Sequence, residues 1–491
     1  MATTTAAAAT AHAQPSANRL ILGMVLAVVT FWLFAQTTLN VAPTMQADLG
    51  ISESVNNLAV SITALFSGIF IVVAGGLADR VGRVKLTYLG LALSVAGSLL
   101  IALSPTGTAV FLMIGRIIQG LSAACIMPAT LAMIKDYFDG AERQRAVSYW
   151  SIGSWGGSGL SALFGGLVAS TLGWRWIFWM SIAIAAASFL FLRDAPESKA
   201  ASREAGPFDW LGFLAFIAAM VAVNVVIGQG SALGWLNPTV IALAVVFVLA
   251  AIAFLWIELG NPNGFVDLRL FNNKTYTGAT LSNFLLNGAA GTLLVALSLV
   301  QQAAGLSSLQ SGMLTIGYLI AILSTIRVGE KLLRKMGARK PMLLGCAVTG
   351  VGILLTSMTF LLTGQYMIVA FVGFTLFGVG LGFYATPSTD AALSNVPNDK
   401  AGAASGIYKM ASSLGAAFGV AISAALFTAL SGGGLTFEPL SELFMGRTDN
   451  IDIRFGAAVA LLFNVAMVVV AIVAIAMTVP KDDPRSNAKD Q

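Results

Sequence analysis

Residues Leu112–Pro128 read LMIGRIIQGLSAACIMP and sit inside an apolar run, Thr108 to Ile134, long enough to cross a bilayer as a helix. Arg116 interrupts the run near its middle, with Gln119 and Gly120 on the next turn. A guanidinium at that depth is costly and persists only against a protein interior or a water-filled cavity. The stretch therefore predicts a membrane helix that lines something wet.

Its surroundings are of the same kind. The 491 residues are 57% hydrophobic and 10% charged, with a mean hydropathy of +0.84, whereas soluble domains carry about 25% charged residues. So much apolar surface predicts an integral membrane protein. Continuous apolar runs predict helices, which satisfy their own backbone hydrogen bonds inside lipid. A transmembrane barrel would instead need short alternating segments. The expected fold class is an all-α membrane protein with fourteen transmembrane helices, at 20–44, 55–76, 86–104, 108–134, 146–171, 176–192, 209–230, 238–258, 276–300, 309–328, 341–362, 366–394, 403–430 and 455–479.

An even number puts both termini on one side. With that side cytoplasmic, 22 of the 27 Lys and Arg face inward. Only Arg175, Arg447 and Arg454 fall in outer loops, and Arg116 and Lys409 lie within spans. Basic residues gather on the cytoplasmic side of membrane proteins, so the termini are expected there, and the net charge of +5 reflects orientation rather than affinity for nucleic acid. Residues 1–18 form a polar tail without signal-peptide features, expected to be disordered. The tail holds His12, the sole histidine, so no histidine switch or metal site is expected in the membrane. Cys125 and Cys346 fall in different spans and read as packing residues.

An internal repeat organises the spans. GGLADRVGRVKLTYLG, from Gly75, matches GEKLLRKMGARKPMLLG, from Gly329, so that Gly82 falls on Gly337, Lys85 on Lys340 and Gly90 on Gly345. MPATLAMI, from Met127, matches TPSTDAAL, from Thr386. Spans 1–6 thus correspond to spans 9–14, leaving 7 and 8 as an inserted hairpin. The expected divisions are the tail 1–18, a six-helix bundle 19–193, a linker 194–208, helices 7 and 8 at 209–258, a linker 259–275, a second six-helix bundle 276–479 and a tail 480–491. Two parallel halves around a site at mid-membrane suit an alternating-access carrier.

The loop after span 2 is the most specific signal. Gly75 and Gly82 allow a tight turn between helices, and Arg80, Arg83 and Lys85 make it basic. Asp79 can pair with an arginine or cap a neighbouring helix N-terminus, so the loop could latch the two halves together. Read plainly, it is a solvated basic loop that fixes orientation, but that reading alone does not require Asp79 or the paired glycines.

This loop, together with Leu112-x-x-x-Arg116-x-x-Gln119-Gly120-x-Ser122-Ala123-Ala124, resembles the motifs of the major facilitator superfamily. With its span number, the chain from about residue 19 to 480 resembles the fourteen-span drug:proton antiporter branch, the QacA/SdrM-like exporters. The resemblance implies export of bulky lipophilic compounds, cationic ones above all, driven by inward proton flow. Two departures stand out. Asn40-Val41-Ala42 is present in span 1, but Ala35, with Gln36 beside it, takes the place of the usual acid. The Gly-Pro pair of the span-5 motif is Ser161-Ala162, although Gly157, Gly165 and Gly166 remain.

A proton site must then lie elsewhere. Asp390, after Pro387 in span 12, is the one carboxylate well inside a span, and Lys409 is equally unusual in span 13. Measured from a turn near Asn398, both lie about 12–16 Å deep. They are expected to be able to meet as a switchable pair for proton coupling; a static pair, or two residues that never meet, are the alternatives. Arg116 either modulates a nearby carboxylate, as the resemblance implies, or donates to backbone carbonyls at a helix break. Candidates for a substrate cavity are Trp32, Phe34, Gln36, Asn40, Met127, Trp150, Trp155, Asn283, Asn287, Tyr384 and Tyr408, since aromatic and Met surfaces suit flat lipophilic cations.

No nucleotide-binding loop is present, so an ion gradient is the expected energy source, with the proton as coupling ion and no cofactor. The Ser431–Arg454 loop, with Phe437, Leu440, Leu443 and Phe444 at helical spacing, is expected to form a short outer-surface helix. The expectation overall is a monomeric, proton-coupled drug exporter in a bacterial cytoplasmic membrane. Its partners would be lipophilic small molecules, protons and the lipid bilayer, not nucleic acid. A proton symporter or facilitator for a small polar metabolite is the alternative, and a non-transporting sensor or a membrane enzyme is disfavoured.

Overall fold

The computed structural model describes residues 16–199, 209–261, 266, 268–306, 308–431 and 442–481, and among these there is no strand. The first-half helices are α1 (Ala17–Val29), α2 (Thr38–Leu49), α3 (Glu53–Val81), α4 (Arg83–Ala102), α5 (Val110–Tyr137), α6 (Gly140–Ser151), α7 (Gly157–Thr171) and α8 (Arg175–Leu192). Two more follow, α9 (Trp210–Leu233) and α10 (Pro238–Gly260). The second-half helices are α11 (Lys274–Gly288), α12 (Gly291–Ala304), α13 (Ser308–Met313), α14 (Ile316–Met336), α15 (Arg339–Thr356), α16 (Thr363–Ser394), α17 (Ala401–Ser431) and α18 (Ile451–Thr478). The expected tails fall almost wholly outside the described residues.

Twelve helical stretches among the described residues are long and apolar enough to cross a membrane. The two expected spans missing from that number have local causes. The fifth, α6 and α7 joined through a π-helical segment, Ile152–Gly156, is rich in Gly and Ser, which lowers its hydropathy, and in the seventh only Trp210–Val226 qualifies, as a shorter apolar helix. A second π-helical segment, Thr30–Ala35, divides span 1 between α1 and α2. Such bulges widen one turn of a helix and are frequent at functional sites.

Helix ends follow the side chains available to them. Ser52 and Asn273 accept backbone N–H bonds from Val55 and Tyr276, capping α3 and α11. The break between α3 and α4 needs Gly82, whose φ is +128°, and the corresponding break between α14 and α15 uses Gly337 at +70°. The sequence repeat therefore has a backbone counterpart. It extends to packing: Gly90 of α4 lies against Ser122, Cys125 and Ile126 of α5, and Gly345 of α15 lies against Gly380 and Tyr384 of α16.

The halves meet where α17 lies on α3 and α5, and where α16 and α14 lie on α6. α9 and α10 pack on each other, and α9 also touches α3 and α17. α10 exposes Ile241, Val245, Val248, Leu249, Ile252 and Trp256, the surface of a helix that faces lipid.

The expected outer-surface helix falls largely on residues 432–441, outside the described residues, and 442–450 run as turns and bends. α18 begins at Ile451, so Arg454, expected in the outer loop, lies in its first turn and donates to the Thr359 and Leu361 carbonyls at 2.8 and 3.1 Å.

Candidate functional site

Two groups of charged side chains join the halves, and both lie on the face that carries the Asp79 loop. Asp79, at the end of α3, pairs with Arg83 at 2.9 Å and accepts the backbone N–H bonds of Gly402 and Ala403 at 2.9 and 3.0 Å. Those two N–H groups open α17, where the helix dipole favours an anion. Close backbone approach makes this possible: a Cβ on Gly75 would stand 2.3 Å from the Gly402 carbonyl oxygen. Arg83 reaches on to Ser198 at 2.9 Å and to the Asn398 carbonyl. Glu197 accepts from Val84 and Lys85 N–H at 3.0 and 3.2 Å and so caps α4. Arg80 and Lys85 are exposed and take no part in this contact between the halves.

In the second group, Arg143 of α6 pairs with Asp390 of α16 at 3.0 Å and donates to Ser394 at 2.8 Å. Asp390 is fully buried, and Arg143 is 8% exposed. Lys135 donates to the Leu393 and Val396 carbonyls at the end of α16, a site that favours a cation. Arg334 adds a bond to the Ala141 carbonyl at 3.1 Å.

The expected Asp390–Lys409 pair is therefore corrected: the partner of Asp390 is Arg143. Equal depth from the intervening turn did not bring the two residues together, because α16 packs on α14 and α15 while α17 packs on α3, α5 and α11. The Lys409 ammonium instead lies 4.7 Å from the Trp150 ring centre and 5.8 Å from that of Trp32. Arg143 and Lys135 appear in the sequence only as two more inward-facing basic residues. The one signal that could have found Arg143 is the need of a buried Asp390 for a cation.

Arg116 is 1% exposed and faces protein rather than a wet space. It donates to the Ala35 and Ala59 carbonyls at 2.9 and 3.0 Å, to Thr38 at 3.1 Å and to Gln119 at 2.9 Å. The Ala35 carbonyl ends the π-helical segment of span 1, so the geometry is that of a donor at a helix break.

The remaining candidates divide. Tyr384 and Tyr408 are buried and joined through Ser388, at 2.9 Å from each hydroxyl. Asn283 donates to Ser412 and to the Tyr408 carbonyl, and Asn287 to Asn283. Phe34 stacks edge-on against Phe164 inside the first half, and Met127 is buried in the core. Trp32, Gln36 and Trp155 are half-buried, and Trp32 packs against Gly157 of α7. The Asn40 side chain lies outside the described residues.

Charged groups thus bind across the two halves at one face, and the Lys409 ammonium lies between those halves over two indole rings. The chain matches the sequence profile of the Major Facilitator Superfamily over residues 20–420 and again over 279–491. The chain belongs to the major facilitator superfamily. Its fold agrees: the proton:xylose symporter XylE, solved bound to 6-bromo-6-deoxy-D-glucose, superposes with a TM-score of 0.64 at 17% identity, covering 95% of this chain and 96% of that one. The human organic anion transporter MFSD10 (TETRAN) gives 0.57 at 16% identity, over 94% and 100%. In sequence the chain is 49% identical, over 95% of its length and 96% of theirs, to the quinolone resistance protein NorB of Staphylococcus aureus strains MRSA252 and COL. As a member of this superfamily the chain is a multi-pass membrane transporter and not an enzyme.

Proposed function

We propose that this chain exports lipophilic, drug-like compounds from the bacterial cytoplasm by alternating access, in exchange for entering protons. The observation that carries the reading is its 49% identity, over nearly the whole chain, to a quinolone resistance protein; quinolones are therefore the first substrates to test. In this reading the protein is a monomer of fourteen spans, with α9 and α10 as the inserted hairpin, and the termini and the Asp79 face are cytoplasmic. The latch comprises Gly75, Asp79, Gly82 and Arg83, with Arg80 in the solvated part of the loop.

The closed Asp79 face supports assigning this conformation to the state shut toward the cytoplasm. The proton acts at Asp390: protonation removes its charge, releases Arg143 and frees one of the two charged groups that hold the halves together. Arg116 keeps a structural role.

The test is transport in proteoliposomes with an imposed pH gradient, following norfloxacin and ethidium together with internal pH. Substrate movement against its own gradient with opposite proton movement is expected, and its loss in Asp390→Asn is expected to accompany it. Substrate movement indifferent to the pH gradient would refute proton coupling. Absence of any drug movement by folded protein would refute the export reading.

A further inference from the structure

A cavity of about 340 Å³ lies beside the Arg143–Asp390 pair, where the first turn of α6 meets the second half. Its walls come from both halves: Asp139, Gly140 and Arg143 from the first, and Ala338, Arg339 and Lys481 among others from the second. Three cations thus line it against one carboxylate that is not already engaged. Arg143 spends Nε on Asp390 and Nη2 on Ser394, while its Nη1 stands 4.0 Å from Asp139, beyond hydrogen-bonding range. Asp139 is exposed, so water screens its charge. Arg339 donates to the Ala476 carbonyl at 2.7 Å, and Lys481 is exposed; neither pairs with a carboxylate among the described residues.

Two helices also begin at this cavity. α6 opens at Gly140 and α15 at Arg339, and neither start is capped by a side chain. The first N–H groups of a helix have no acceptor within it, and the helix dipole makes that end favour an anion. Guanidinium groups and helix starts both suit tetrahedral oxyanions, which accept several N–H bonds from different directions at once. At about 30 Å³ per water molecule the cavity has room for roughly ten, so a phosphate fits.

We propose that this cavity binds a phosphate-bearing anion, held from the first half by Arg143 and the start of α6 and from the second by Arg339, Lys481 and the start of α15. Dissolved phosphate and the headgroup of an anionic phospholipid share this chemistry. The inference goes beyond the export reading and does not depend on it, because binding is measured without transport.

The test is equilibrium dialysis of radiolabelled inorganic phosphate against the full-length protein, delipidated in dodecyl maltoside at constant ionic strength, with thermal melting to verify folding. Saturable binding is expected. Arg339→Gln is expected to weaken it about tenfold, and Lys481→Gln, at an exposed side chain, about threefold. Asp139→Asn removes the opposing charge and is expected to tighten binding about threefold. Lys85→Gln, which removes an exposed cation of the Asp79 loop, is expected to hold it within about twofold. A second arm counts lipid retained from phosphatidylglycerol micelles by native mass spectrometry. Lipid lost in Arg339→Gln and Lys481→Gln would support the proposal with the headgroup as occupant; equal retention by wild type and both variants, with phosphate binding as expected, would support it with dissolved phosphate.

Undiminished binding of phosphate and lipid by the two Gln variants would overturn the proposal, as would a loss in Lys85→Gln equal to theirs, or no saturable binding of either probe. Phosphate bound only once residues 482–491 are removed would also overturn it, by making Asp482 and Asp483 the carboxylates that fill the cavity. Should Arg339→Gln fail to fold, Lys481→Gln and Asp139→Asn decide.

Discussion

The close approach of Gly75 to Gly402 makes the closed face unusually easy to perturb. In Gly75→Ala the new Cβ would stand 2.3 Å from the Gly402 carbonyl oxygen and 2.9 Å from its carbon, where ordinary contact begins near 3.4 Å. Both obstructing atoms are backbone, so no side chain can swing aside, and α3 and α17 must part by about 1 Å. That displacement stretches the bonds from Gly402 and Ala403 N–H to Asp79, now 2.9 and 3.0 Å, beyond hydrogen-bonding range. A hydrogen bond to a charged group is worth about 1.5–3 kcal/mol, so two of them amount to at least about 3 kcal/mol against the closed state. At about 1.4 kcal/mol per factor of ten, the equilibrium moves roughly a hundredfold toward opening at this face.

The assay is double electron–electron resonance in nanodiscs, with spin labels at Glu142 and Lys331. Both are exposed and lie near the Asp79 face on helices of different halves. The short-distance population of the parent is expected to give way to a longer one in Gly75→Ala. Gly166→Ala, whose Cβ would have no neighbour within 4 Å, is expected to leave the distribution alone. An unchanged distribution in Gly75→Ala would refute the claim that this backbone contact sets the closed state.

Three further expectations follow from other contacts. Removing either partner of the buried Arg143–Asp390 pair leaves a charge or an unpaired polar group behind, at a cost of about 3–5 kcal/mol; the double variant Arg143→Gln/Asp390→Asn is expected to unfold closer to wild type than the sum of the single variants, and additive losses in melting temperature would show that the pair is not coupled. Gly419→Ala would place a Cβ 1.8 Å from the Gly288 carbonyl oxygen, between α17 and α11; a large loss of monodisperse protein on size exclusion is expected, and a wild-type profile and melting point would contradict it. On the opposite face, hydrogen bonds from Arg175 and Trp174 hold the Asp48 carboxyl below its usual value of 3.8. A depressed folded-state value stabilises the protein above about pH 4 and ceases to do so as pH falls through it. Melting curves of wild type and Asp48→Asn are therefore expected to differ at neutral pH and to converge in acid below that window, and a difference that persists or grows in acid would contradict the assignment.

What could be read in the chain alone depended on whether a residue's reason for being there was local. Gly82 and Asp79 announce themselves because a turn between two helices needs a glycine and has little use for a lone acid, and the structure gives both the expected surroundings. The repeat was legible for the same reason: Gly90 and Gly345 each sit where one helix crosses another, and a Cβ fits at neither place. The π-helical segments were not legible. Thr30–Ala35 gives no local sign of a wider turn, Ile152–Gly156 shows only small residues, and the neighbours of both come from elsewhere in the bundle: Trp32 lies by Gly157, and Leu323 of α14 by Gly156. Arg116 could be read as unusual but not resolved, because its acceptors include groups from three helical segments other than its own.

The Asp390–Lys409 expectation shows where such reasoning ends and why the outcome is informative. Depth along a helix is a one-dimensional quantity that sequence supplies, whereas azimuth and neighbour are set by how the bundle is assembled. Asp390 turns across the interface to Arg143, and Lys409 turns across it to Trp150. Two of the charges buried in the second half thus make contacts across to the first, whereas Glu330 and Arg454 are met within their own half. Lys409 lies two turns inside the helix whose opening N–H groups bind Asp79, so its surroundings and the Asp79 contact share one helix, about 10 Å apart along the axis. A group that draws on Lys409 and a contact that holds Gly402 therefore act on the same helix, and neither can shift α17 without altering the other.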